Sequence, residues 1–207
     1  MMRINCFRLI TLIAMAMPLQ VLGGAIEELQ NFVNQSVSGQ ATFVQRVFDS
    51  TGALVQESSG ELRFSRPGKF KWHYFEPYEQ LLVGDGDFLW VYDLDLMQVT
   101  RVSLDQALGS SPAALLYGSE DIDSYFGLEA LSSDGKLVRV RVIPYEESGL
   151  FERIEIGLTA SVVRNMTLYD YFGQKTVIEF GQFSIPSKFN DDEFTFIVPD
   201  DVDLVTQ

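Results

Sequence analysis

From Gly39 almost to its end, the chain alternates apolar and polar residues with a period of two. Successive side chains of a strand point to opposite sides, so this alternation demands strands with one buried and one wet face. Candidate strands cover 40–48, 54–65, 69–75, 79–84, 87–93, 97–102, 136–143, 151–158, 161–170, 174–182 and 193–197. Thr51-Gly52, Pro67-Gly68, Asp85-Gly86, Asp134-Gly135 and Phe172-Gly173 supply turn chemistry between many of them. Links this short join antiparallel neighbours. The expected fold is mainly β with a few helices: one large curved antiparallel sheet, tending toward a barrel.

Two stretches break the alternation. Ile26, Leu29, Phe32, Val33 and Val37 recur at helical spacing among polar residues, which predicts an amphipathic helix ending near Ser38-Gly39. The segment "SLDQALGSSPAALLYG" (103–118) predicts two short helices. Ser103 and Gln106 form a capping-box pattern with Gly109 as the stop, and Ser111-Pro112 opens a second helix that Gly118 ends. Between Leu104 and Gly118 the only charge is Asp105. Helices so apolar must cover something apolar, either as a core plug or over a binding face.

The start of the chain has a different logic. "MMRINCFR" carries two arginines and no acid, "LITLIAMAMPLQVL" follows, and Gly23, Gly24 and Ala25 come next. Basic start, short apolar middle and small-residue exit describe a secretory signal peptide, too short and too interrupted by Pro18 for a good membrane span. The expected organisation is a signal over 1–25, cleaved at 23–25, and a single domain over 26–207. Cys6 lies inside the signal, so the mature chain has no disulfide, no cysteine nucleophile and no thiolate metal site. Losing Arg3 and Arg8 leaves 13 basic against 29 acidic residues, a net charge of −16. Such a surface repels nucleic acid and anionic headgroups. These features favour a periplasmic or exterior protein with no nucleic-acid partner and no stable membrane insertion.

The run "FSRPGKFKWHY" (64–74) poses a sharper question, because Arg66 is in phase with its apolar residues. A three-residue loop, Pro67-Gly68-Lys69, would pair Arg66 with Phe70, Phe64 with Trp72 and Leu62 with Tyr74, gathering every apolar residue on one face. Arg66 then stands at that face's rim. It either lays its stem on apolar surface with its charge in water, or uses its fork of donors to hold helix-end carbonyls as a latch. The next hairpin, with "QLLV" and "FLWVYD", is apolar on both faces: Phe88, Trp90 and Tyr92 on one, Leu89 and Val91 on the other. It is covered on both sides or lines a cavity.

Catalytic constellations are missing. His73, the single histidine, has no G-x-S-x-G serine nearby and no second histidine for a metal. The acidic groups at Asp85/Asp87, Asp93/Asp95, Asp121/Asp123 and 191–193 lack the glycine and terminal glutamate of a calcium loop, and read as solvated turns. Gly84-Asp85-Gly86-Asp87 is followed by no helix that would cradle phosphate. No enzyme and no cofactor is expected.

The run "RPGKFKWHYFEPYEQLLVGDGDFLWVYDLDLMQVT", the segment "LGSSPAALL" and "DDEFTFIVP" near the end resemble the periplasmic outer-membrane lipoprotein carrier proteins, the LolA family. The resemblance spans most of the mature chain, apart from 119–150. It implies an incomplete antiparallel β-barrel closed by helices around a hydrophobic cavity. It also implies a monomeric carrier that takes acylated lipoproteins from an inner-membrane ABC-transporter complex and hands them to an outer-membrane receptor lipoprotein. Arg66 matches the family's lid-tying arginine, Phe70 a position implicated in loading, and Trp72 an aromatic position. The candidate acyl-chain residues are then Leu62, Phe64, Phe70, Trp72, Leu82, Trp90, Leu108, Leu115 and Leu116, with Arg66 as the latch. A module that senses or sequesters mislocalised lipid without delivering it, and an esterase of lipid substrates, are the competing readings.

Overall fold

Gly68 closes the hairpin at the centre of the aromatic run with a φ of 68°. A three-residue hairpin loop commonly ends on a residue in the left-handed region, where glycine is at home. The loop is therefore Arg66-Pro67-Gly68, one residue earlier than the spacing suggested. Ser65 pairs with Lys69, Phe64 with Phe70, Leu62 with Trp72 and Gly60 with Tyr74. The expected partners were each off by two positions, which leaves every side chain on the expected face. Arg66 does not pair with Phe70; its backbone N–H donates to the carbonyl of Val37 at 2.7 Å.

The structure is a computed structural model that describes residues 23–107, 122–145, 150–184, 189–190 and 192–206. Helix α1 runs Gly23–Gln35 and leads into β1 (Ser38–Phe48). A meander of hairpins follows: β2 (Leu54–Ser65), β3 (Lys69–Glu76), β4 (Gln80–Asp85), β5 (Phe88–Asp93) and β6 (Gln98–Ser103). Helix α2 is Leu104–Ala107, and a 3-10 turn covers Ile122–Ser124. The second meander is β7 (Phe126–Asp134), β8 (Leu137–Pro144), β9 (Phe151–Thr159), β10 (Val162–Asp170) and β11 (Lys175–Phe180), with β12 at Asp203–Thr206.

Among the described residues all twelve strands belong to one sheet, in the order β12-β6-β5-β4-β3-β2-β1-β11-β10-β9-β8-β7. The pairing of β1 with β11 joins the two meanders, and β7 and β12 remain as the outer edges. The mainly β fold and the large curved antiparallel sheet agree with expectation. Three details differ. Residues 192–197 form a turn and extended chain without sheet pairing, while β12 pairs in parallel with β6. The stretch 119–150, which carried no diagnostic pattern, contributes β7 as an edge strand. Helix α1 ends at Gln35, before the Ser38-Gly39 stop, because Ser38 and Gly39 already pair with Ser65 and Phe64.

The curvature makes a concave interior, and α1 fills much of it. Leu29, Phe32 and Val33 of α1 are buried against Val140, Val142, Ile154, Ile156, Leu158, Met166 and Ile178 of β8–β11. The alternation is thus satisfied on one side by a helix. Glu28, on α1's outer flank, accepts the backbone N–H of Ser161 at 2.9 Å, fixing the helix to the β9–β10 turn.

Candidate functional site

The inner face of β1–β5 is graded from apolar to polar. Near the 66–68 turn its inward positions are Leu62, Phe64, Phe70, Trp72 and Leu89, all buried, with Leu82 and Val91 packed against them. Gly84 makes room for Phe70: a Cβ there would stand 2.5 Å from the Phe70 ring. Further along the same strands, in the same phase, come Gln45, Gln56, Ser58, Tyr74, Gln80 and Asp93. With Pro77, Tyr78, Asp95 and Leu96 they line an open pocket of about 400 Å³. Eight residues of β2 separate Phe64 from Gln56, roughly 26 Å of extended chain.

Arg66 occupies the apolar end. Its Nη1 donates to the carbonyl of Phe32 at 3.3 Å and to that of Ser36. The guanidinium carbon stands 4.9 Å over the Phe32 ring and 5.0 Å over the Phe64 ring. Ser36 O lies just past the last helical residue, and Phe32 O, which already accepts the Ser36 N–H at 3.1 Å, has a second lone pair to offer; a planar cation over two aromatic faces is also favourably placed. Arg66 therefore grips the C-terminal end of α1. The apolar helices expected over 103–118 are the other candidates for its grip, and 108–118 lie outside the described residues. Among the described residues these hydrogen bonds tie it to the end of α1, a helix whose role at this site sequence reasoning missed. Helix α2 buries Leu104 and Ala107 in the same core, whereas Leu108, Leu115 and Leu116 lie outside the described residues.

Trp72 forms the step between the two halves of the graded face. It is 1% exposed, with its ring 4.9 Å from Phe43, 6.0 Å from Phe180 and stacked at 6.4 Å on Tyr74. Its indole N–H is buried and meets no acceptor among the described residues. The Tyr74 hydroxyl donates to Gln45 Oε1 at 3.0 Å, and burial pushes the phenol's pKa up.

Trp90 is not on this face, contrary to its selection as a cavity residue. The inward positions of β5 are Leu89 and Val91; Trp90 and Tyr92 point to the convex side. There Trp90 stacks on Phe196 at 5.5 Å, and its indole N–H donates to Asp85 at 2.6 Å. The chain over 192–197 covers the convex face: Phe194 is buried, and Glu193 meets Arg63 at 2.9 Å and Lys71 at 3.8 Å. The hairpin that is apolar on both sides is thus covered on both.

Asp85 is more than a solvated turn acid. Partial burial pushes its pKa up, but hydrogen bonds from the Trp90 indole and from the backbone N–H groups of Phe88 and Asp87 outweigh this and hold it below the ordinary 3.8. His73 lies on the outer face with Nε2 2.9 Å from Glu79 Oε1. Among the described residues no three His, Cys, Asp or Glu side chains converge as a metal site requires, and no helix is long and apolar enough to cross a membrane.

The polar pocket was legible in principle. The apolar phase of β1, β2, β4 and β5 runs on into Gln45, Ser58, Gln80 and Asp93, and a change of polarity within one phase marks where an inner wall meets water.

An unclosed antiparallel sheet that curves round an apolar wall and a bound helix defines a half-barrel class with a greasy interior. The family model described as "Outer membrane lipoprotein carrier protein LolA" matches residues 34–197, and the chain belongs to this family. An outer-membrane lipoprotein carrier protein of Nitrosomonas europaea is 40% identical over 190 residues, spanning 91% of this chain and 92% of the relative. One from Nitrosospira multiformis is 43% identical over 183 residues, 88% of each chain. Among solved structures, a LolA superfamily protein from Nitrosomonas europaea shares the fold with a TM-score of 0.51, at 13% identity, over 84% of this chain and 96% of that one. An uncharacterized conserved protein of Thermus thermophilus has a TM-score of 0.53, at 13% identity, over 88% and 99%.

Proposed function

We propose that this protein carries lipoproteins across the periplasm by sheltering their acyl chains against the concave face of its sheet. The observation that carries the reading is an apolar inner wall occupied by a helix that an arginine grips through hydrogen bonds and ring contacts. One buried CH₂ is worth about 0.8 kcal/mol, so a single chain of about 14 carbons has on the order of 10 kcal/mol of aversion to water. A lipoprotein leaves its membrane only if another apolar surface receives that chain. The receiving surface must be covered when empty, or the carrier aggregates. The end of α1, whose Phe32 ring stands 6.4 Å from that of Phe64, supplies such a cover at the rim of this wall, and Arg66 holds it through hydrogen bonds and ring contacts that a ligand can displace.

In this reading the ligand residues are Leu62, Phe64, Phe70, Trp72 and Leu82, with Arg66 as latch. The work is binding rather than bond-making. The donor is an inner-membrane ABC-transporter complex, which supplies the energy for loading, and the acceptor is a receptor lipoprotein of the outer membrane. Residues 1–25 serve as the export signal. Depletion tests the reading: acylated lipoproteins should accumulate in the inner membrane as the protein is lost. Normal sorting in depleted cells, with purified protein unable to extract an acylated lipoprotein from membranes, would overturn it.

A further inference from the structure

The two tryptophans of the mature chain are treated differently. Trp90 is partly buried on the convex face, and its indole N–H is matched to the Asp85 carboxylate at 2.6 Å. Trp72 is fully buried on the concave face, and its indole N–H has no acceptor among the described residues. Its ring neighbours explain why. Phe43 and Phe180 carry no polar atom in their side chains, and the hydroxyl of Tyr74 donates to Gln45. Buried polar groups are almost always hydrogen-bonded, and an orphaned donor carries a standing cost that a phenylalanine of similar shape would avoid.

Position adds a second observation. Along β3 the inner face reads Phe70, Trp72, Tyr74, and the polar pocket begins at Tyr74. Across the sheet, Leu62 and Leu82 pair with Trp72, whereas Gly60 and Gln80 pair with Tyr74. The orphan donor therefore stands where hydrocarbon wall gives way to polar wall. An acylated molecule has the same boundary within itself: methylenes end at the carbonyl of an ester or amide, which accepts hydrogen bonds and donates none.

We propose that Trp72 Nε1–H is the donor for an acyl-chain carbonyl, so that the site recognises the ester or amide linkage and not hydrocarbon alone. This rests on the carrier reading above and names the chemical group that the face selects. Ligand binding supplies the acceptor that the described residues do not. Tyr74 and the pocket beyond it then accommodate the more polar part of the molecule.

The test compares dimyristoylglycerol with the matched dialkyl ether of glycerol, which lacks only the carbonyls, as competitors for a bound fluorescent fatty acid. The wild-type protein should prefer the ester by about fivefold, the equilibrium equivalent of one ordinary hydrogen bond. Trp72→Phe should bind both lipids alike, and Trp90→Phe should keep the preference. In ¹⁵N-tryptophan NMR of the wild-type protein, the Trp72 indole proton should move downfield with the ester and not with the ether. That readout decides the matter if Trp72→Phe does not fold. Equal wild-type affinities with an indistinguishable indole shift, or a preference that persists in Trp72→Phe, would overturn the hydrogen bond and leave the carrier intact. Binding of neither lipid would overturn both.

Discussion

Arg66 holds Phe32 in two ways at once: its guanidinium carbon lies 4.9 Å over the ring, and its Nη1 donates to the same residue's carbonyl at 3.3 Å. The hydrogen bond and the ring contact act on one turn of α1, with Ser36 O as a further acceptor. Arg66→Leu should remove both, leaving the sheet folded and costing about 1–3 kcal/mol. Arg66→Lys should lie between, since an ammonium keeps the charge but loses the fork. Hydrogen exchange over 29–36 is the measurement, and it should quicken in Arg66→Leu before the sheet's amides do. Unchanged α1 protection would remove the grip from the account.

Gly84 and Phe70 form a second such pair. A Cβ on Gly84 would fall 2.5 Å from the Phe70 ring and 2.9 Å from the Gly68 carbonyl. Phe70 is fully buried, so its ring must tilt off the strand to admit a methyl group. Gly84→Ala is therefore expected to cost about 1–3 kcal/mol as overpacking. The loss should appear as a lower unfolding midpoint in denaturant with unchanged slope. An alanine variant as stable as wild type would mean that the ring has somewhere else to go.

The strands and their faces were legible because period-two patterning is read one strand at a time. Phe64, Phe70 and Trp72 share a buried face whether the loop is 66–68 or 67–69, since the two registers differ by an even number. The loop itself was misread because alternation does not say which residue takes the left-handed conformation, and Gly68 takes it at the loop's end. Trp90 was assigned to the wrong side for a related reason. "FLWVYD" is apolar on both faces, so only the distant 192–197 segment distinguishes inside from outside. The contact of Arg66 with the end of α1 was hidden in the same way: a guanidinium can cap any helix end, and the sequence does not say that α1 folds back into the concavity.

Asp85 makes a prediction about acid. Its folded-state pKa is lowered from 3.8 because its hydrogen bonds from Trp90, Phe88 and Asp87 outweigh partial burial. A depressed carboxylate contributes stability that is fully present above its unfolded pKa and is lost as pH falls through the folded one. The contribution should therefore be complete at neutral pH and disappear below about pH 4. Trp90→Phe removes the indole donor, so the Asp85 carboxyl should titrate at higher pH in that variant. Carboxyl NMR titration of both proteins checks this, and coincident curves would show the indole contact to be weak in solution.

The convex strap offers the last test. Phe194 is 5% exposed, and Glu193 anchors it to Arg63 on β2 and Lys71 on β3. Truncating a buried aromatic removes transfer energy and leaves a cavity, so Phe194→Ala should cost about 3–5 kcal/mol if the strap is part of the cooperative fold. Glu193→Gln removes two partly exposed ion pairs and should cost only about 1 kcal/mol or less. The two variants also differ in where they fail. Phe194→Ala should loosen the Phe196 ring from Trp90 and open the chain after 190 to limited proteolysis. Glu193→Gln should leave the cleavage pattern nearly wild type. Rapid cleavage after 190 in the wild-type protein would show instead that the strap detaches without disturbing the sheet, and that the Trp90–Phe196 stack is made only part of the time.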